Sequence, residues 1–534
     1  MATSNPPSSV PGSPEIPAWA PALCCALFFG LALLLMSPEL GDFGGDSAQY
    51  LSLARGIAEG RGYVDLHLPG NPPHRHYPPG FPLLLAPLVA VFGPAPILPA
   101  KVFCAASIAV GAWFAWRLLR RLAGPRAALA ALGLSLSSTA LLLQAVRIQS
   151  EAPYFLLVYA ALLLLVRGPE RRADQILLCL LAAGAFLVRV AGLVLIAVML
   201  LGLRRRLGFR RTLLPACFCL LPVALFLLRA GSGGGGTWSY AEEWGASGLG
   251  ALPSRLLEHA VFTFRALGAR LTEHPFWIAR PWLLSVPVLV SAVGFLRRWR
   301  GAGPRDPEIF FLLSLVATVL APMKSTRYLL PLLPLLGLYL WLGGEALVIH
   351  AVRKGGKPVL LRRAAGTAFA LLLLSHLLGL GILFQGRTRS FLVSAPPLQF
   401  ERLGSVRMQD WEEVWLGAEN PEGRAAAKAW GDFLLLCKAA KTDLPEEAVV
   451  ASRKPRLFFF LTERRSVPLP GVGRTAEESL DRLRRAGADH LCLDGLFVAS
   501  RKLGRQCRKV LGPPVLAVRG ARIHVLSPRA VPGK

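Results

Sequence analysis

The chain has 534 residues and a mass of 57.6 kDa; 53% of its residues are hydrophobic and only 17% are charged. Soluble domains carry about 25% charged residues, and the mean hydropathy of +0.48 is too high for one. The 60 Lys and Arg residues outnumber the 32 Asp and Glu residues, giving a formal net charge of +28. Because long apolar runs alternate with short basic loops, the composition excludes a soluble enzyme, a nucleic-acid binder and a disordered scaffold. It predicts a polytopic membrane protein that is mainly α-helical.

Apolar runs recur along residues 19–384 and predict a transmembrane helical bundle of about 11 spans, and at most 13. Before them, residues 1–18 are rich in Pro and Ser and are expected to be disordered. Segment 81–92 is too short for a full span, so we expect it to be re-entrant, to lie along the membrane, or to merge with the next helix. The candidate spans lie near 19–36, 97–117, 126–145, 151–166, 174–189, 191–203, 212–230, 281–296, 308–322, 328–349 and 364–384.

Arg and Lys cluster in every second loop between these runs. Since basic loops stay on the cytoplasmic side, this alternation predicts a multi-pass protein of the cell membrane with a cytoplasmic N-terminus. The basic loops lie near residues 117–126, 167–172, 204–211, 297–305 and 353–363. The segments assigned to the outer face are 37–80, 146–151, the surroundings of 189, 231–280, 323–327 and the tail after 385.

The tail, residues 385–534, is more polar and alternates helix and strand patterns. This predicts a small extracytoplasmic α/β domain with a partly parallel sheet. No glycine-rich phosphate loop follows a strand, so no nucleotide site is expected. A disulfide between Cys492 and Cys507 is one alternative that the sequence leaves open. The predicted elements are helices Arg424–Cys437, Pro455–Glu463 and Thr475–Ala486 and strands Ala448–Ser452, Ser466–Leu469 and His490–Asp494.

Polar residues are scarce within the spans and collect in the segments assigned to the outer face. The first segment reads GDFGGDSAQY over residues 41–50 and ends with HRHYPPGFP over 74–82. Residues 48–60 place apolar side chains at helical spacing, so this stretch should lie flat on the membrane with Arg55 and Arg61 towards phosphates. Charges from distant helices on one membrane face are typical of a site for a phosphate-bearing lipid. The other charged residues of this face are Arg147, Glu151, Arg189, Lys324 and Arg327.

Five motifs in chain order resemble the GT-C glycosyltransferases, and more narrowly the branch with the protein O-mannosyltransferases and the lipid A aminoarabinose transferase. The motifs are GDSAQY, YPPGFPLLLAP, SEAPYFLL, RYLLPLLPLL and ASRKPRLFFFLTERRSV. The resemblance implies transfer of a sugar from a polyprenyl-phosphate donor to an acceptor hydroxyl at the outer membrane face. It also implies a helical bundle with juxtamembrane helices in the first loop and, often, a soluble outer domain.

Several residues match family positions one by one. Asp46 matches the acidic residue of the first-loop motif, which in the family is the catalytic base or a metal-linked carboxylate. Glu151 matches the acidic position of the third motif, and Arg327 matches the cation of the late outer loop. Ser47 stands where family members commonly have Glu.

A second departure lies before the paired prolines, where His76 and Tyr77 stand in place of a charged residue. These departures leave metal use open; a divalent metal would take Asp46, His74 and His76 as ligands. The sequence makes no cofactor certain.

A hydroxyl that attacks an anomeric carbon needs a general base, and a phosphate leaving group needs cations. We therefore expect Asp46 and Glu151 to be catalytic and a direct displacement to invert the anomeric centre. The expected donor phosphate-binding residues are Arg61, Arg147, Arg189, Lys324 and Arg327. The expected substrate-binding residues are Tyr50, His76 and Tyr77.

Two other functions stay open. A transporter or flippase for a lipid-linked or small solute would need ionisable groups near the bilayer midplane, where His376 is one of few. A degenerate relative could instead serve as a non-catalytic assembly partner. The expected partners are a polyprenyl-phosphate sugar and a lipid, glycan or protein acceptor, together with membrane lipids and no nucleic acid. Trp238, Trp244 and Trp277 are predicted to form an interfacial belt.

Overall fold

A computed structural model describes most of the chain. The described residues are 16–36, 40, 45–231, 252–273, 282–301, 303–321, 324–393, 398–400, 404–406, 421–469, 473, 475–494 and 498–526. Most of the segment predicted to be disordered, residues 1–18, lies outside these ranges. Trp238, Trp244 and Trp277 lie outside them as well.

The membrane part is built of helices, as its apolar runs predict. The first are α1 (Ala20–Leu35), α2 (Asp46–Ala58), α3 (Gly80–Phe92), α4 (Ile97–Leu136), α5 (Thr139–Ala145), α6 (Glu151–Arg167), α7 (Arg172–Val188), α8 (Gly192–Leu207) and α9 (Phe209–Gly231). They are followed by α10 (Leu252–Thr272), α11 (Ser285–Arg300), α12 (Asp306–Leu320), the 3-10 helix Thr326–Leu332, α13 (Leu333–Arg353) and α14 (Pro358–Val393).

Segments of four helices are long and apolar enough to cross a membrane by length and composition alone. They are Ile97–Leu136, Phe209–Arg229, Thr326–Arg353 and Pro358–Gly381. Two shorter apolar helices accompany them, α1 and α3. Because α3 ends at Phe92 and α4 begins at Ile97, the segment 81–92 forms a separate short helix and does not merge with its successor.

A kink in α4 separates the two spans that the sequence predicts near 97–117 and 126–145. Gly124 has a φ of 84°, which glycine adopts without strain. Pro125 follows it, and its missing N–H and ring interrupt the helical hydrogen bonding. The basic loop predicted at 117–126 therefore ends at a break between two helical segments, at Gly124.

The predicted basic loops contact one another at one end of the bundle. Asp306, at the start of α12, pairs with Arg205 at 2.7 Å and with Arg206 at 3.0 Å, both on α8. Glu308, two residues further along α12, lies 3.6 Å from Arg298 of α11. Acidic residues in the first turn of α12 also suit the positive end of the helix dipole. The segments assigned to the other face meet elsewhere, as described below.

Helices α11 and α13 approach each other so closely that only glycine fits at two positions. A Cβ atom on Gly294 would lie 1.8 Å from the carbonyl oxygen of Tyr339, and one on Gly343 would lie 1.9 Å from that of Val290. Small residues at such crossings let helix backbones pack tightly in a membrane, where dispersion forces drive association. This contact ties α13, which follows the Arg327 turn, to the rest of the bundle.

Gly343→Val is expected to destabilise the protein by at least about 2 kcal/mol, because the added side chain forces α11 and α13 apart. Gly344→Val is the matched control, since a Cβ on Gly344 meets no atom within 4 Å and the change in helix propensity is the same at both positions. Thermal unfolding in detergent should show a lower Tm for the valine at 343 alone. Equal Tm values for the two variants would contradict the proposed close packing.

The C-terminal part is the predicted small α/β unit. Its sheet has the order β4-β3-β5-β7-β6, parallel where β3 pairs with β4 and β5 and antiparallel where β7 pairs with β5 and β6. The strands are β3 (Val449–Ser452), β4 (Arg465–Pro468), β5 (His490–Leu493), β6 (Leu516–Val518) and β7 (Ala521–Val525), after a separate hairpin of β1 (Leu398–Phe400) and β2 (Gly404–Val406). The helices are α15 (Pro421–Asp443), α16 (Pro455–Thr462), α17 (Ala476–Arg485) and α18 (Val498–Cys507). The six elements predicted in this region are confirmed to within three residues except at the C-terminal end of α15, which extends six residues further, whereas α18, β6 and β7 carry no clear sequence pattern.

Alternate residues of each strand face opposite sides of this sheet. Cys492 belongs to the hydrophobic cluster that includes α15 and α16, whereas Leu491 and Cys507 belong to the cluster with α17 and α18. Cys492 and Cys507 are both buried free thiols. The disulfide between them does not form, because they lie in separate clusters.

The first loop is docked on the C-terminal sheet. The side chain of Leu68, which follows α2, is 5% exposed and packs into the cluster of α17 and α18. The backbone N–H of Ser466 donates to the carbonyl of His67 at 2.7 Å. Arg55 of α2 pairs with Glu463 at 3.2 Å. These contacts hold α16 against α2, where the candidate site begins.

Candidate active site

The site is built on the first turn of α2. Asp46 is the first residue of this helix, where a carboxylate suits the positive end of the dipole. The neighbouring Ser47, fully buried, donates from its hydroxyl to the carbonyl of Ile148 at 3.0 Å. This bond ties the start of α2 to the turn before α6, so two segments about 100 residues apart meet at one point.

Both carboxylate oxygens of Asp46 are held. The hydroxyl of Tyr77 donates to Oδ1 at 2.8 Å, and a terminal nitrogen of Arg327 donates to Oδ2 at 3.2 Å. Burial acts to raise the pKa of Asp46, but Arg327, Tyr77 and Arg456 outweigh it and hold the pKa below its ordinary value. Asp46 is therefore a carboxylate at neutral pH.

A chain of alternating charges continues from Arg327 across the site. Its Nε lies 3.7 Å from Oε1 of Glu151, and Oε2 of Glu151 lies 2.7 Å from a terminal nitrogen of Arg189. The side chain of Glu151 is only 3% exposed, whereas that of Arg327 is 38% exposed. A buried carboxylate needs such partners, so Glu151 holds both guanidinium groups while Arg327 stays open to solvent on one side.

The turn before α6 supplies neutral hydrogen-bond partners. The side-chain carbonyl of Gln149 accepts from Arg327 at 3.1 Å, and the hydroxyl of Ser150 accepts from Arg189 at 2.9 Å. The same hydroxyl lies 3.2 Å from that of Tyr50. Burial raises the pKa of Tyr50, so its phenol stays neutral. These contacts fix the direction of both arginine side chains.

Tyr77 is itself fixed by a buried network behind it. Its backbone N–H donates to Nε2 of His74 at 2.9 Å, and Nδ1 of His74 lies 2.8 Å from Oδ1 of Asp65. Since Nε2 accepts, the proton of the neutral ring must sit on Nδ1 and point at Asp65. Gln49 of α2 donates to the same oxygen at 2.7 Å. Burial lowers the pKa of His74 despite Asp65, which keeps this arrangement in the neutral state.

Comparison with known proteins identifies the architecture. Residues 76–228 match the model of the dolichyl-phosphate-mannose-protein mannosyltransferase family. The structure of ArnT from Cupriavidus metallidurans in the apo state has a TM-score of 0.54 to this chain at 14% identity, covering 95% of this chain and 97% of ArnT. ArnT bound to undecaprenyl phosphate gives a TM-score of 0.53 at 13% identity, with 96% and 99% covered. The chain has the GT-C fold.

Archaeal oligosaccharyltransferase AglB from Archaeoglobus fulgidus, solved with an inhibitory peptide and a dolichol-phosphate, is similar at a lower level. Its TM-score is 0.51 at 12% identity, and the match covers 89% of this chain and 69% of AglB. No curated protein matches this chain in sequence. The predicted GT-C resemblance and the predicted polytopic bundle with a small C-terminal α/β part are thus confirmed.

Within the GT-C fold, some predicted site residues meet and others do not. Asp46, Tyr77, Glu151, Arg189 and Arg327 form one connected cluster, with Tyr50 joined to it through Ser150. Two predicted phosphate ligands make their ion pairs outside this cluster: Arg61 pairs with Glu59 at 3.0 Å, and Lys324 pairs with Glu258 at 2.7 Å. Arg147 is partly buried in the turn after α5, and His76 is buried with its ring edge-on to Tyr77 at 4.5 Å.

The described residues do not fit the divalent metal that the GT-C resemblance leaves open. Over the ranges that the structure describes, no three His, Cys, Asp or Glu side chains are grouped as a metal site requires. Asp46 is held by Tyr77 and Arg327, and both ring nitrogens of His74 contact other groups of the protein. No step of the reaction proposed below is therefore assigned to a metal.

Three residues of the site do not stand out in the sequence. Gln149 and Ser150 lie between two predicted charged residues and differ from ordinary turn residues in no visible way. Arg456 lies in the run RKPR of the last motif, where a contact with acidic headgroups is the simpler interpretation. Its terminal nitrogen donates to the Tyr77 hydroxyl at 3.2 Å, a contact that depends on how the C-terminal part docks.

Proposed function

We propose that this chain is an integral-membrane glycosyltransferase that moves a sugar from a polyprenyl-phosphate donor to an acceptor hydroxyl at the outer face of the cell membrane. The observation that carries the proposal is the contact of Asp46 with Arg327, joined through Glu151 to Arg189. A base and two phosphate-binding cations thus come together from α2, the 3-10 turn and the end of α7. The structures of ArnT bound to undecaprenyl phosphate and of AglB in complex with a dolichol-phosphate have a similar fold, which supports a polyprenyl phosphate as the lipid part of the donor.

Asp46 acts as the general base in this mechanism. The acceptor oxygen attacks the anomeric carbon while its proton passes to the Asp46 carboxylate, so a new carbon–oxygen bond forms. The bond between the anomeric carbon and the phosphate oxygen breaks, and the electron pair leaves with the lipid phosphate. A single displacement of this kind inverts the anomeric centre.

Arg327 and Arg189 stabilise the leaving phosphate. Charge develops on the phosphate oxygens as the bond breaks, and fixed guanidinium groups lower the energy of that state. Within the cluster, Arg189 and Arg327 balance Asp46 and Glu151, and Arg456 adds one positive charge beside Tyr77. Because the guanidinium groups of Arg327 and Arg189 stabilise the developing charge, no proton donor to the leaving group is needed.

The orientation is part of the proposal. The positive-inside rule places the α8 and α12 end in the cytoplasm, and the cluster lies with the segments assigned to the opposite face. The N-terminus would then be cytoplasmic and the C-terminal part extracytoplasmic. Nucleotide sugars are absent from that side, so the donor sugar must arrive already attached to a lipid. The acceptor would be a lipid, a glycan or a protein.

A transfer assay in proteoliposomes tests the function. The purified protein is reconstituted with a panel of polyprenyl-phosphate sugars, each labelled in the sugar, and with an extract of cell-envelope lipids and glycoproteins as acceptors. We expect label to appear on an acceptor with release of an equal amount of polyprenyl phosphate and with inversion at the anomeric carbon by NMR.

Two other outcomes would contradict the proposal. Counterflow of labelled lipid or solute across the vesicle membrane without cleavage of the donor would indicate a transporter or flippase. Saturable binding of a donor with no turnover on any acceptor fraction would indicate a non-catalytic assembly partner.

A further inference from the structure

One side chain of the C-terminal part, that of Arg456, reaches the candidate site. Arg456 is the second residue of α16, which lies against α2. It donates to the Tyr77 hydroxyl at 3.2 Å, and its guanidinium carbon lies 5.5 Å from the centre of the Tyr77 ring. The alternation of basic loops, which places Arg189 and Arg327 on the outer face, does not predict that Arg456 lies at the site.

The chemistry of these three groups allows one direction of hydrogen bonding. Arginine has donors and no acceptor, so the Tyr77 oxygen must accept from Arg456. The single phenol proton is then free to point at Asp46, whose oxygen lies 2.8 Å away. The ring is also packed by Tyr50 at 4.9 Å and by His74 at 5.6 Å between ring centres, which limits its movement.

The docking contacts hold Arg456 in place. Arg55 and Glu463 pair at 3.2 Å at the far end of α16, and the Ser466 N–H donates to His67 just beyond it. Leu68 packs into the hydrophobic cluster of α17 and α18. With one end of α16 fixed to α2 and the following strand fixed to the first loop, the guanidinium group is presented at a defined position.

We propose that Arg456 is a positioning residue of the transfer site: it directs the Tyr77 hydroxyl towards Asp46, so that the C-terminal domain completes the site. Arg456 acts through Tyr77 and does not itself touch the reacting atoms. The inference rests on the proposed glycosyltransferase function and adds to it a role for a residue about 400 positions away from the base.

The test uses the full chain in proteoliposomes with the donor identified by the transfer assay. In Arg456→Gly we expect kcat to fall on the order of 10²-fold, the scale of a misplaced catalytic group, with the donor KM nearly unchanged. Guanidinium ion added to this variant should restore part of kcat, because the small cation can occupy the vacated position. Arg456→Lys should retain more activity than Arg456→Gly. Arg508→Gly, an exposed arginine of the same domain, should behave as wild type with and without guanidinium.

The pathway through Tyr77 is tested by a double-mutant cycle. Tyr77→Phe removes the hydroxyl, so Arg456→Gly should lower kcat little further in that background, and guanidinium should not rescue the double variant. Additive losses, an effect on KM alone, or absence of rescue would overturn the inference while wild-type turnover still supports the function.

A readout without turnover separates the two proposals. The Tm values of wild type, both single variants and the double variant should be non-additive if Arg456 and Tyr77 are in contact. A wild type inactive on every donor would refute the function, while this cycle would still report on the contact. Additive Tm shifts would overturn the inference that Arg456 acts through its contact with Tyr77.

Discussion

Asp46→Asn should lower kcat by about 10²–10⁴-fold, the usual contribution of a positioned general base, while the donor still binds. The amide has the shape of the carboxylate and can accept one of the bonds from Tyr77 and Arg327, so the site should stay assembled. It cannot take a proton from the acceptor hydroxyl. Initial rates at saturating donor, with donor Kd measured separately, will distinguish the loss of chemistry from a loss of binding.

Glu59→Gln provides the matched control for this variant. Glu59 follows the same helix and makes its ion pairs with Arg55 at 2.6 Å and Arg61 at 3.0 Å, two residues that are not part of the Asp46 cluster. Its rate should stay within a few-fold of wild type. Unchanged turnover in Asp46→Asn would remove Asp46 from the chemistry and leave Glu151 as the next candidate base.

Arg327→Gln is expected to weaken donor binding and to change the pH dependence as well. Loss of one charge-assisted hydrogen bond to phosphate costs about 1.5–3 kcal/mol, which corresponds to roughly 10–100-fold in donor Kd. Lys324→Gln is the control. Lys324 lies three residues before Arg327, but it pairs with Glu258. An equal loss in Lys324→Gln would instead assign phosphate binding to Lys324.

The pH profile follows from the charges around Asp46. Burial opposes ionisation, but Arg327, Tyr77 and Arg456 hold the pKa of Asp46 below its ordinary value. Activity should therefore persist until the pH falls below about 4, the usual pKa of an aspartate. Removing Arg327 raises this pKa, so the acidic limb of kcat/KM against pH should move to higher pH. A limb that does not move in Arg327→Gln would show that the titrating group is not Asp46.

The sequence predicts the helical bundle and the C-terminal helices and strands well, because both follow from local patterns. The alternation of basic loops also places Asp46, Glu151, Arg189 and Arg327 on one face. The choice between Lys324 and Arg327 could not be made in advance. It depends on the 3-10 turn at Thr326–Leu332, where the Ser325 hydroxyl accepts from the Arg327 N–H at 3.4 Å.

The hydrogen-bond network behind Tyr77 could not be predicted from the sequence, for a different reason. His74 looks like a loop histidine that could bind a metal, and only its burial against Asp65 shows that it supports the backbone of Tyr77. Arg456 reads as a surface cation in a basic run. The role of Arg456 depends on a contact between residues hundreds of positions apart, and that of His74 depends on an irregular loop. The periodicity of the sequence encodes neither contact.

The pairing of Arg55 with Glu463 joins residues 408 positions apart, and the slot for Leu68 is formed by helices near the end of the chain. A ribosome makes the first loop early and these helices late. During most of biosynthesis the C-terminal part is therefore not yet docked on the first loop. Leu68 has no apolar surroundings until about the final hundred residues have been synthesised. If the proposed function holds, a chain that terminates before this region lacks Arg456 at the site, so we expect it to enter the membrane without transfer activity.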